Sequence, residues 1–220
     1  MSACNLALKG CKVMAERIYP KTSIDYKLAK SFANWKKYVE NGGNLVLTCR
    51  RGLKDRNGHF NEAPWADAIT NLIGAKITMN DMLGATMKAK VSFDGNTYIW
   101  NNWGDILQPA SGTETWATYA NQFYAGKASV VHRKLGKGTV TYIGTDTDDG
   151  KLEKDVLKKV YGSAGIGVKE LPAGVILNWR DGFWVAINYS SANVTIEIPQ
   201  DAKIIFGTRD LVPAGVVVWK

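Results

Sequence analysis

The sequence predicts an α/β fold, in which helices cover both faces of a parallel sheet, followed by a small antiparallel β domain. Helical and apolar strand patterns alternate up to about residue 168, as they do in sheets built from βαβ units. Segment 44–49, NLVLTC, is apolar without interruption, which is typical of a strand covered on both faces. After Gly167 the helical period disappears, and short alternating segments are separated by turn residues. We therefore predict an α/β domain over residues 1–168 and a β domain over residues 169–220.

The first elements are a strand, a helix and the strand already quoted. An apolar run near residues 11–15 predicts a strand, and Thr22-Ser23-Ile24-Asp25 resembles a capping box that starts a helix. Apolar residues then recur at spacings that place them on one helix face: Ile24, Leu28, Phe32, Trp35 and Val39. Asn41-Gly42-Gly43 has the composition of a helix C-cap. The helix is therefore expected to end directly before segment 44–49.

The remainder of the first domain continues this alternation. Asn57-Gly58 predicts a polar turn, and a helix is expected from Pro64 to Gly74 with a strand after it. Residues 91–103 are aromatic and are expected to be irregular. Two strands follow over residues 128–145, with a turn at residues 136–138. A final helix carries four apolar residues on one side: Leu152, Val156, Leu157 and Val160.

Composition and charge argue against several classes of protein. The 220 residues carry a formal charge of +8, but the lysines are scattered beside acidic residues, so we predict no nucleic-acid partner. No apolar run approaches the ~18 residues that span a membrane, and the N-terminus lacks the pattern of a signal peptide. Three cysteines and two histidines without metal-ligand spacing predict neither a metal site nor a cofactor.

Cys49 lies where several α/β enzymes carry a nucleophile, at the end of a buried strand. A reactive thiol needs a histidine or a helix N-terminus beside it and a tight, glycine-flanked turn. Here the neighbours are Thr48 and Arg50, and the nearest glycine is Gly52. A buried structural cysteine is therefore the favoured interpretation, and a catalytic cysteine is the alternative.

The acidic residues form no recognisable catalytic or calcium-binding motif. Segment 145–150, TDTDDG, lacks the spacing of an EF-hand loop, and Asp149 is better explained as the N-cap of the following helix. A glycosidase needs two carboxyl groups about 5 to 10 Å apart. The sequence offers several candidates and pairs no two of them: Glu62, Asp67, Asp81, Asp94 and Asp105. No catalytic residue is therefore assigned.

Segment 98–105, YIWNNWGD, is the candidate for a sugar contact or an interface. Indole rings stack on sugar faces, and neighbouring amides can supply hydrogen bonds. The residues concerned are Trp100, Asn101, Asn102, Trp103 and Asp105. Carbohydrate is the partner that this interpretation implies. The alternative is that both indoles pack in the core or under a loop.

Three segments taken in order resemble family 42 glycoside hydrolases, the β-galactosidases: YVENGGNLVLTCRRGLKDRNG, NLIGAKI and LGKGTVTYIGTDTDDGKLEKDVLKKVY. The tail, GVILNWRDGFWVAINYS, is similar to the small C-terminal β module of that family, in which NYS recurs. The resemblance implies a flavodoxin-like, class I glutamine amidotransferase-like domain that forms trimers and lacks the amidotransferase nucleophile. It also implies that the catalytic glutamates lie in a (β/α)8 barrel, which nothing in this chain resembles.

The resemblance also sets the functional hypotheses. Only MSACNLALKG precedes the element similar to CKVMAERIYP, so we expect the α/β domain to be truncated at its N-terminus, and the alternative is a relative with a shorter sheet. The leading hypothesis is a non-catalytic C-terminal portion of a β-galactosidase-like enzyme, whose partners are other copies of itself and a barrel absent from this chain. One alternative is an independent carbohydrate-binding or protein-assembly module that uses the Trp100/Trp103 patch. Another is an amidotransferase-like enzyme that uses Cys49.

Overall fold

The computed structural model describes residues 6–7, 13–16, 25–49, 67–147 and 150–220, which divide into two compact units. The larger unit contains the described residues between positions 12 and 160, and the smaller contains residues 161–220 and the short strand at residues 6–7. Several sequence expectations lie outside the described residues: the capping-box residues 22–24, the turn at Asn57-Gly58, the helix start at Pro64 and the N-cap at Asp149. The predicted domain boundary near Val168 stays a prediction.

The helices and strands are as follows, in chain order. The first are β1 (Leu6–Ala7), β2 (Val13–Glu16), α1 (Asp25–Glu40) and β3 (Asn44–Thr48). Next come α2 (Asp67–Ile73), β4 (Ala75–Met82), β5 (Ala89–Phe93), β6 (Asn96–Trp100), β7 (Trp103–Pro109), β8 (Thr113–Tyr119), β9 (Ala128–Leu135) and β10 (Gly138–Ile143). The last are α3 (Lys151–Ser163), β11 (Lys169–Glu170), β12 (Val175–Arg180), β13 (Phe183–Asn188), β14 (Val194–Thr195), β15 (Ile204–Phe206), β16 (Asp210–Leu211) and β17 (Val216–Trp219).

A nine-stranded mixed sheet forms the larger unit. Its main path runs β2-β3-β10-β9-β8-β5-β6, while β4 pairs with β7, and β7 pairs with β9. Strand β3 is parallel to both β2 and β10. The other pairings in this sheet are antiparallel, so most neighbouring strands are joined as hairpins or meanders.

The flavodoxin-like parallel sheet predicted from the sequence is therefore wrong. Residues 91–103, expected to be irregular, contribute to strands β5, β6 and β7. Asp94 and Gly95 join β5 to β6 with φ angles of 46° and 78°, the left-handed geometry of a two-residue hairpin turn. Such a hairpin produces antiparallel neighbours, and the described residues contain three helices, too few for a helix after each strand.

Side chains of the sheet contribute to two hydrophobic clusters. Leu45 and Leu47 of β3 belong to the cluster that contains residues of α1 and α2, whereas Val46 belongs to the cluster that contains residues of α3. Strand β3 is thus buried on both faces, as its continuous apolar sequence predicts. The predicted helix face is also observed where side chains are described, because Phe32, Trp35 and Val39 are all buried in the first cluster.

The junction between α1 and β3 confirms the predicted C-cap. The amide of Gly43 donates to the carbonyl of Tyr38 at 2.9 Å, and the amide of Gly42 donates to that of Val39 at 2.8 Å. These two bonds form a Schellman motif, with Gly42 at a φ of 103°. The chain consequently leaves the helix and enters the central strand within three residues.

The smaller unit contains an antiparallel sheet in the order β12-β13-β17-β15, as the sequence predicts. Its core includes Ala186 and Trp219, and the buried Asn188 connects its loops. The Asn188 amide nitrogen donates to the carbonyls of Ala192 at 2.7 Å and Leu211 at 3.0 Å. Its oxygen accepts from the Ser190 amide at 2.9 Å and from the Ser190 hydroxyl at 2.7 Å. Asn188 and Ser190 of the segment NYS, residues 188–190, therefore have a structural role, because their hydrogen bonds connect the loops of this unit.

None of the described helices is both long and apolar enough to cross a membrane.

Candidate functional site

The carboxylate of Asp105 is the centre of a polar cluster inside the larger unit. Asp105 lies on β7 and is fully buried. Its Oδ1 accepts a hydrogen bond from Trp103 Nε1 at 2.7 Å, and its Oδ2 accepts one from the Tyr142 hydroxyl at 2.6 Å. The Tyr119 hydroxyl donates to the Asp105 backbone carbonyl at 3.0 Å. The cluster therefore connects β7 to β8 and β10 through the interior of the sheet.

Both tyrosines of this cluster remain protonated donors. Burial raises the pKa of Tyr142 well above its usual range, and the negative charge of Asp105 raises it further. The same two causes, burial first, raise the pKa of Tyr119. A phenol that stays neutral can keep donating to a carboxylate. The arrangement thus stabilises a buried charge.

Cys49 follows β3 and is half-buried beside this cluster. Its charge is among the smaller causes that raise the pKa values of Tyr119 and Tyr142, so the thiol lies within electrostatic range of both phenols. His132, the histidine whose position is described, is occupied elsewhere. Its Nδ1 lies 2.9 Å from the Thr141 hydroxyl, and its ring stacks on Trp116 at 4.0 Å.

These neighbours favour the structural interpretation of Cys49. The described histidine, His132, bonds to Thr141 and stacks on Trp116, so it is not positioned as the basic partner that activates a thiol. His59 and the residues 50–52 lie outside the described residues.

The predicted sugar-contact residues occupy very different environments. Trp100 is fully buried, with its ring 5.6 Å from Tyr119 in an edge-to-face arrangement, and Trp103 is also buried. Asn101 is half-buried and Asn102 is exposed, with a φ of 111°. Strand pairing turns both rings inward, which agrees with the alternative interpretation that the two indoles pack in the core. Sugar contact at these positions stays a prediction that now depends on the two asparagines.

The other candidate carboxylates have structural partners. The Tyr124 hydroxyl donates to Asp81 Oδ2 at 2.5 Å, and Lys159 Nζ lies 2.9 Å from Asp94 Oδ1. Glu62 and the side chain of Asp67 lie outside what the structure describes. Within the described residues, no three His, Cys, Asp or Glu side chains group as a metal site would require. Asp81 and Asp94 thus each have a partner within the fold.

Glu153 is a polar residue that the sequence analysis missed. Its carboxylate accepts hydrogen bonds from the backbone amide of Thr147, at 3.0 Å, and from the Thr147 hydroxyl. Burial raises the pKa of Glu153, and the bonds from Thr147 oppose that shift. Glu153 thereby joins Thr147 to the first turn of α3. The Thr-to-Glu spacing of six residues is not a capping-box spacing, so no local sequence signal indicates this contact.

The described residues form a mixed sheet with a buried polar cluster and a separate, small antiparallel sheet, an architecture that does not define a function by itself. Comparison with family models identifies the family. The chain belongs to the family 42 β-galactosidases: residues 25–169 match the β-galactosidase trimerisation domain, and residues 174–220 match the β-galactosidase C-terminal domain.

Curated relatives support the same family. The chain is 31% identical over 171 residues to β-galactosidase BgaH of Haloferax lucentense, an alignment that covers 77% of this chain and 26% of that protein. It is 32% identical over 124 residues to β-galactosidase LacA of Lactobacillus acidophilus, covering 56% and 18% of the two chains. The chain therefore spans about a quarter or less of the length of these relatives.

Solved structures show the same fold. A β-galactosidase from Halorubrum lacusprofundi superposes with a TM-score of 0.73 at 22% identity, covering 86% of this chain and 29% of that one. A β-galactosidase from Marinomonas ef1 gives a TM-score of 0.71 at 22% identity, covering 95% and 29%. The mixed sheet and the separate antiparallel sheet are thus shared with known β-galactosidases.

Proposed function

We propose that this chain assembles and supports a β-galactosidase and does not itself cleave a glycosidic bond. Self-association with other copies is its first function, and the (β/α)8 barrel of a β-galactosidase is its second partner. The observation that carries the proposal is the match of residues 25–169 to a trimerisation domain.

The described carboxylates support the non-catalytic part of this proposal. Asp105 is buried in its cluster, and Asp81 and Asp94 are engaged with Tyr124 and Lys159. A glycosidase needs an acid and a second carboxylate on opposite sides of an open site. Asp105 accepts bonds from within the core, so it cannot meet a sugar without breaking them.

Hydrolysis of a chromogenic β-galactoside tests this part directly. The purified 220-residue chain is expected to show no turnover above the buffer rate. A matched sample of the variants Asp81→Asn and Asp94→Asn serves as the control for contaminating enzyme, because a host contaminant is unaffected by these changes. Turnover by the unaltered chain that either variant abolishes would contradict the proposal.

A titration with galactose tests the carbohydrate-binding alternative. Because Trp100 and Trp103 are buried, we expect no saturable change in tryptophan fluorescence. A saturable change that disappears in the double variant Asn101→Ala, Asn102→Ala would instead support sugar contact at the predicted segment. The buried indoles give no structural reason to favour that outcome.

A further inference from the structure

Two hairpin turns among the described residues have the same sequence, an aspartate followed by a glycine. Asp94-Gly95 joins β5 to β6, and Asp181-Gly182 joins β12 to β13. Both aspartates are exposed, and the φ angles nearly agree, at 46° and 78° in the first turn and 48° and 90° in the second. The backbones of the two turns are therefore alike, so a difference in their reactivity must come from the surroundings of the two carboxylates.

An aspartate that precedes a glycine can modify its own backbone without an enzyme. The glycine amide nitrogen attacks the side-chain carboxyl carbon and forms the new C–N bond of a cyclic succinimide, while the carboxyl hydroxyl leaves with the amide proton as water. Water then opens the ring at either carbonyl. One product is aspartate, and the other is isoaspartate, in which the main chain runs through the former side chain. One water is lost and one is gained, so the reaction needs no other reactant.

Both reacting groups are accessible at Asp181-Gly182. Within the described residues, the Asp181 carboxylate takes part in no hydrogen bond or salt bridge, and the Gly182 amide donates to no backbone carbonyl. The space beside the glycine is also open, because a side-chain carbon placed on Gly182 would meet no atom within 4 Å. Neither a bonded partner nor a steric barrier therefore keeps the carboxyl group from the amide nitrogen.

Asp94 differs because a lysine holds its carboxylate. Lys159 Nζ of α3 lies 2.9 Å from Asp94 Oδ1 and 3.1 Å from Oδ2. The same ammonium group lies 5.1 Å from the centre of the Phe93 ring and 4.7 Å from that of Trp116, and these contacts restrict the lysine. The carboxylate must leave Lys159 before it can turn towards the Gly95 amide. Succinimide formation is consequently slower here than in a turn without the lysine.

A third pair, Asn41-Gly42, is protected in another way. An asparagine before a glycine forms the same succinimide and releases ammonia instead of water. Here the attacking nitrogen is occupied, because the Gly42 amide donates to the carbonyl of Val39 at 2.8 Å. That bond belongs to the Schellman motif, so the end of α1 would have to open before the nitrogen could react. Asp181-Gly182 is therefore the least protected of these three pairs.

We infer that Asp181-Gly182 is a site of spontaneous isoaspartate formation in the folded chain, and that Lys159 protects the equivalent turn at Asp94. Isoaspartate at position 181 lengthens the main chain of the turn by one carbon and leaves a free α-carboxylate at the protein surface. A methyltransferase that recognises isoaspartate can transfer a methyl group to this carboxylate from the sulfonium of S-adenosylmethionine. The inference does not depend on the proposed assembly function.

Peptide mapping of the full chain after prolonged incubation tests the inference. A buffer of about pH 6 is suitable, because it protonates a larger share of aspartates than neutral pH does. Mass spectrometry with electron-transfer fragmentation measures isoaspartate at each position, and labelling by the methyltransferase checks the total. We expect about threefold more isoaspartate at position 181 than at position 94, the discrimination that an exposed ion pair of ordinary strength supplies. Position 41 should remain asparagine.

Two variants of Lys159 test the protection of Asp94. Lys159→Met removes the ion pair, so isoaspartate at position 94 should rise towards the level at position 181. Lys159→Arg keeps a cation that can bind the carboxylate, so position 94 should stay protected. In both variants the amount at position 181 should be unchanged. Asp181→Gly, which accepts the positive φ of the turn, should lose the isoaspartate of its own peptide and keep that of the Asp94 peptide.

The chain unfolded in urea is the reference, because all three pairs should react there. Isoaspartate that forms at position 181 in urea and is absent from the folded chain would overturn the site. Equal amounts at positions 94 and 181 in the folded, unaltered chain would overturn the protection by Lys159, whether or not the lysine variants fold. The pairs Asn57-Gly58 and Asp149-Gly150, wholly or partly outside the described residues, lie on other tryptic peptides and do not confuse the measurement.

Discussion

The hydroxyl of Tyr142 donates to the buried carboxylate of Asp105 at 2.6 Å. Tyr142 lies on β10 and Asp105 on β7, so this single bond joins two strands that are not neighbours in sequence. Trp103 and Tyr119 add two further bonds to the same residue. Asp105 is therefore a structural residue of the sheet, although its sequence context made it a candidate for sugar contact.

Removing this bond should destabilise the larger unit. Tyr142→Phe deletes the hydroxyl and leaves a buried carboxylate oxygen short of one donor, so the free energy of unfolding should fall by about 1.5–3 kcal/mol. Urea titration followed by circular dichroism measures the change. Tyr189→Phe is the control, because Tyr189 is exposed and its hydroxyl should contribute little. Equal stability of Tyr142→Phe and the unaltered chain would refute the structural role of the bond.

Stability should also depend on His132 below neutral pH. Burial lowers the pKa of His132, while the charge of Glu114 acts in the opposite direction and those of Lys159 and Lys134 act with the burial. The unfolded chain therefore binds a proton at this histidine more readily than the folded chain does. The free energy of unfolding should fall as the pH drops below about 6.5, the value for an unperturbed histidine.

A comparison with His132→Gln isolates this effect. Glutamine does not titrate, so the variant should lose stability less steeply between about pH 6.5 and pH 5. Other titrating groups, including Glu153, affect both proteins alike and cancel in the difference between them. Parallel stability curves for the two proteins would mean that His132 does not titrate differently on folding.

The smaller unit should depend on Asn188. Asn188→Ala removes the bonds to the carbonyls of Ala192 and Leu211 and to the amide of Ser190. Because these backbone groups lie beside a buried position, we expect a loss of about 1–3 kcal/mol in the free energy of unfolding. Asn178→Ala on β12 is the control, since Asn178 is exposed. If both alanine variants unfold at the same urea concentration, the NYS segment has no special structural role.

Cys49 should react as an ordinary thiol. The described histidine, His132, is bonded to Thr141 and stacked on Trp116, so it does not supply the base that activates a catalytic thiol. At pH 7 the rate of alkylation by iodoacetamide at this position, measured by peptide mass spectrometry, should not exceed that of a cysteine in a short peptide. A rate well above that reference would revive the amidotransferase-like interpretation.

Some of the fold follows from local sequence. The Schellman motif at Gly42-Gly43 involves residues adjacent in sequence, and the helix face of Phe32, Trp35 and Val39 follows from its spacing. The hairpin turn at Asp94-Gly95 was also readable, because Asp-Gly between apolar segments is a strong hairpin signal. The aromatic composition of the segment instead led to the expectation of an irregular region. The parallel sheet was predicted from segment 44–49, whose strand β3 is parallel to both neighbours, but that arrangement does not extend to the rest of the sheet.

The candidate site could not be predicted in the same way. Whether Trp100 faces solvent or the core depends on how β6 pairs with β5, and the two tyrosine partners of Asp105 lie 14 and 37 residues away in sequence. A segment's own sequence does not specify such contacts. The spatial neighbours of Cys49 could not be predicted for the same reason. Its neighbours in sequence, Thr48 and Arg50, already showed that no histidine stands next to it in the chain.

The mass of the chain in solution, measured by light scattering across a range of concentrations, tests the central claim most directly. The assembly function predicts a mass about three times that of the 24.2 kDa chain, reached as the concentration rises. A mass that stays at 24.2 kDa at every concentration would contradict the claim that this chain self-associates.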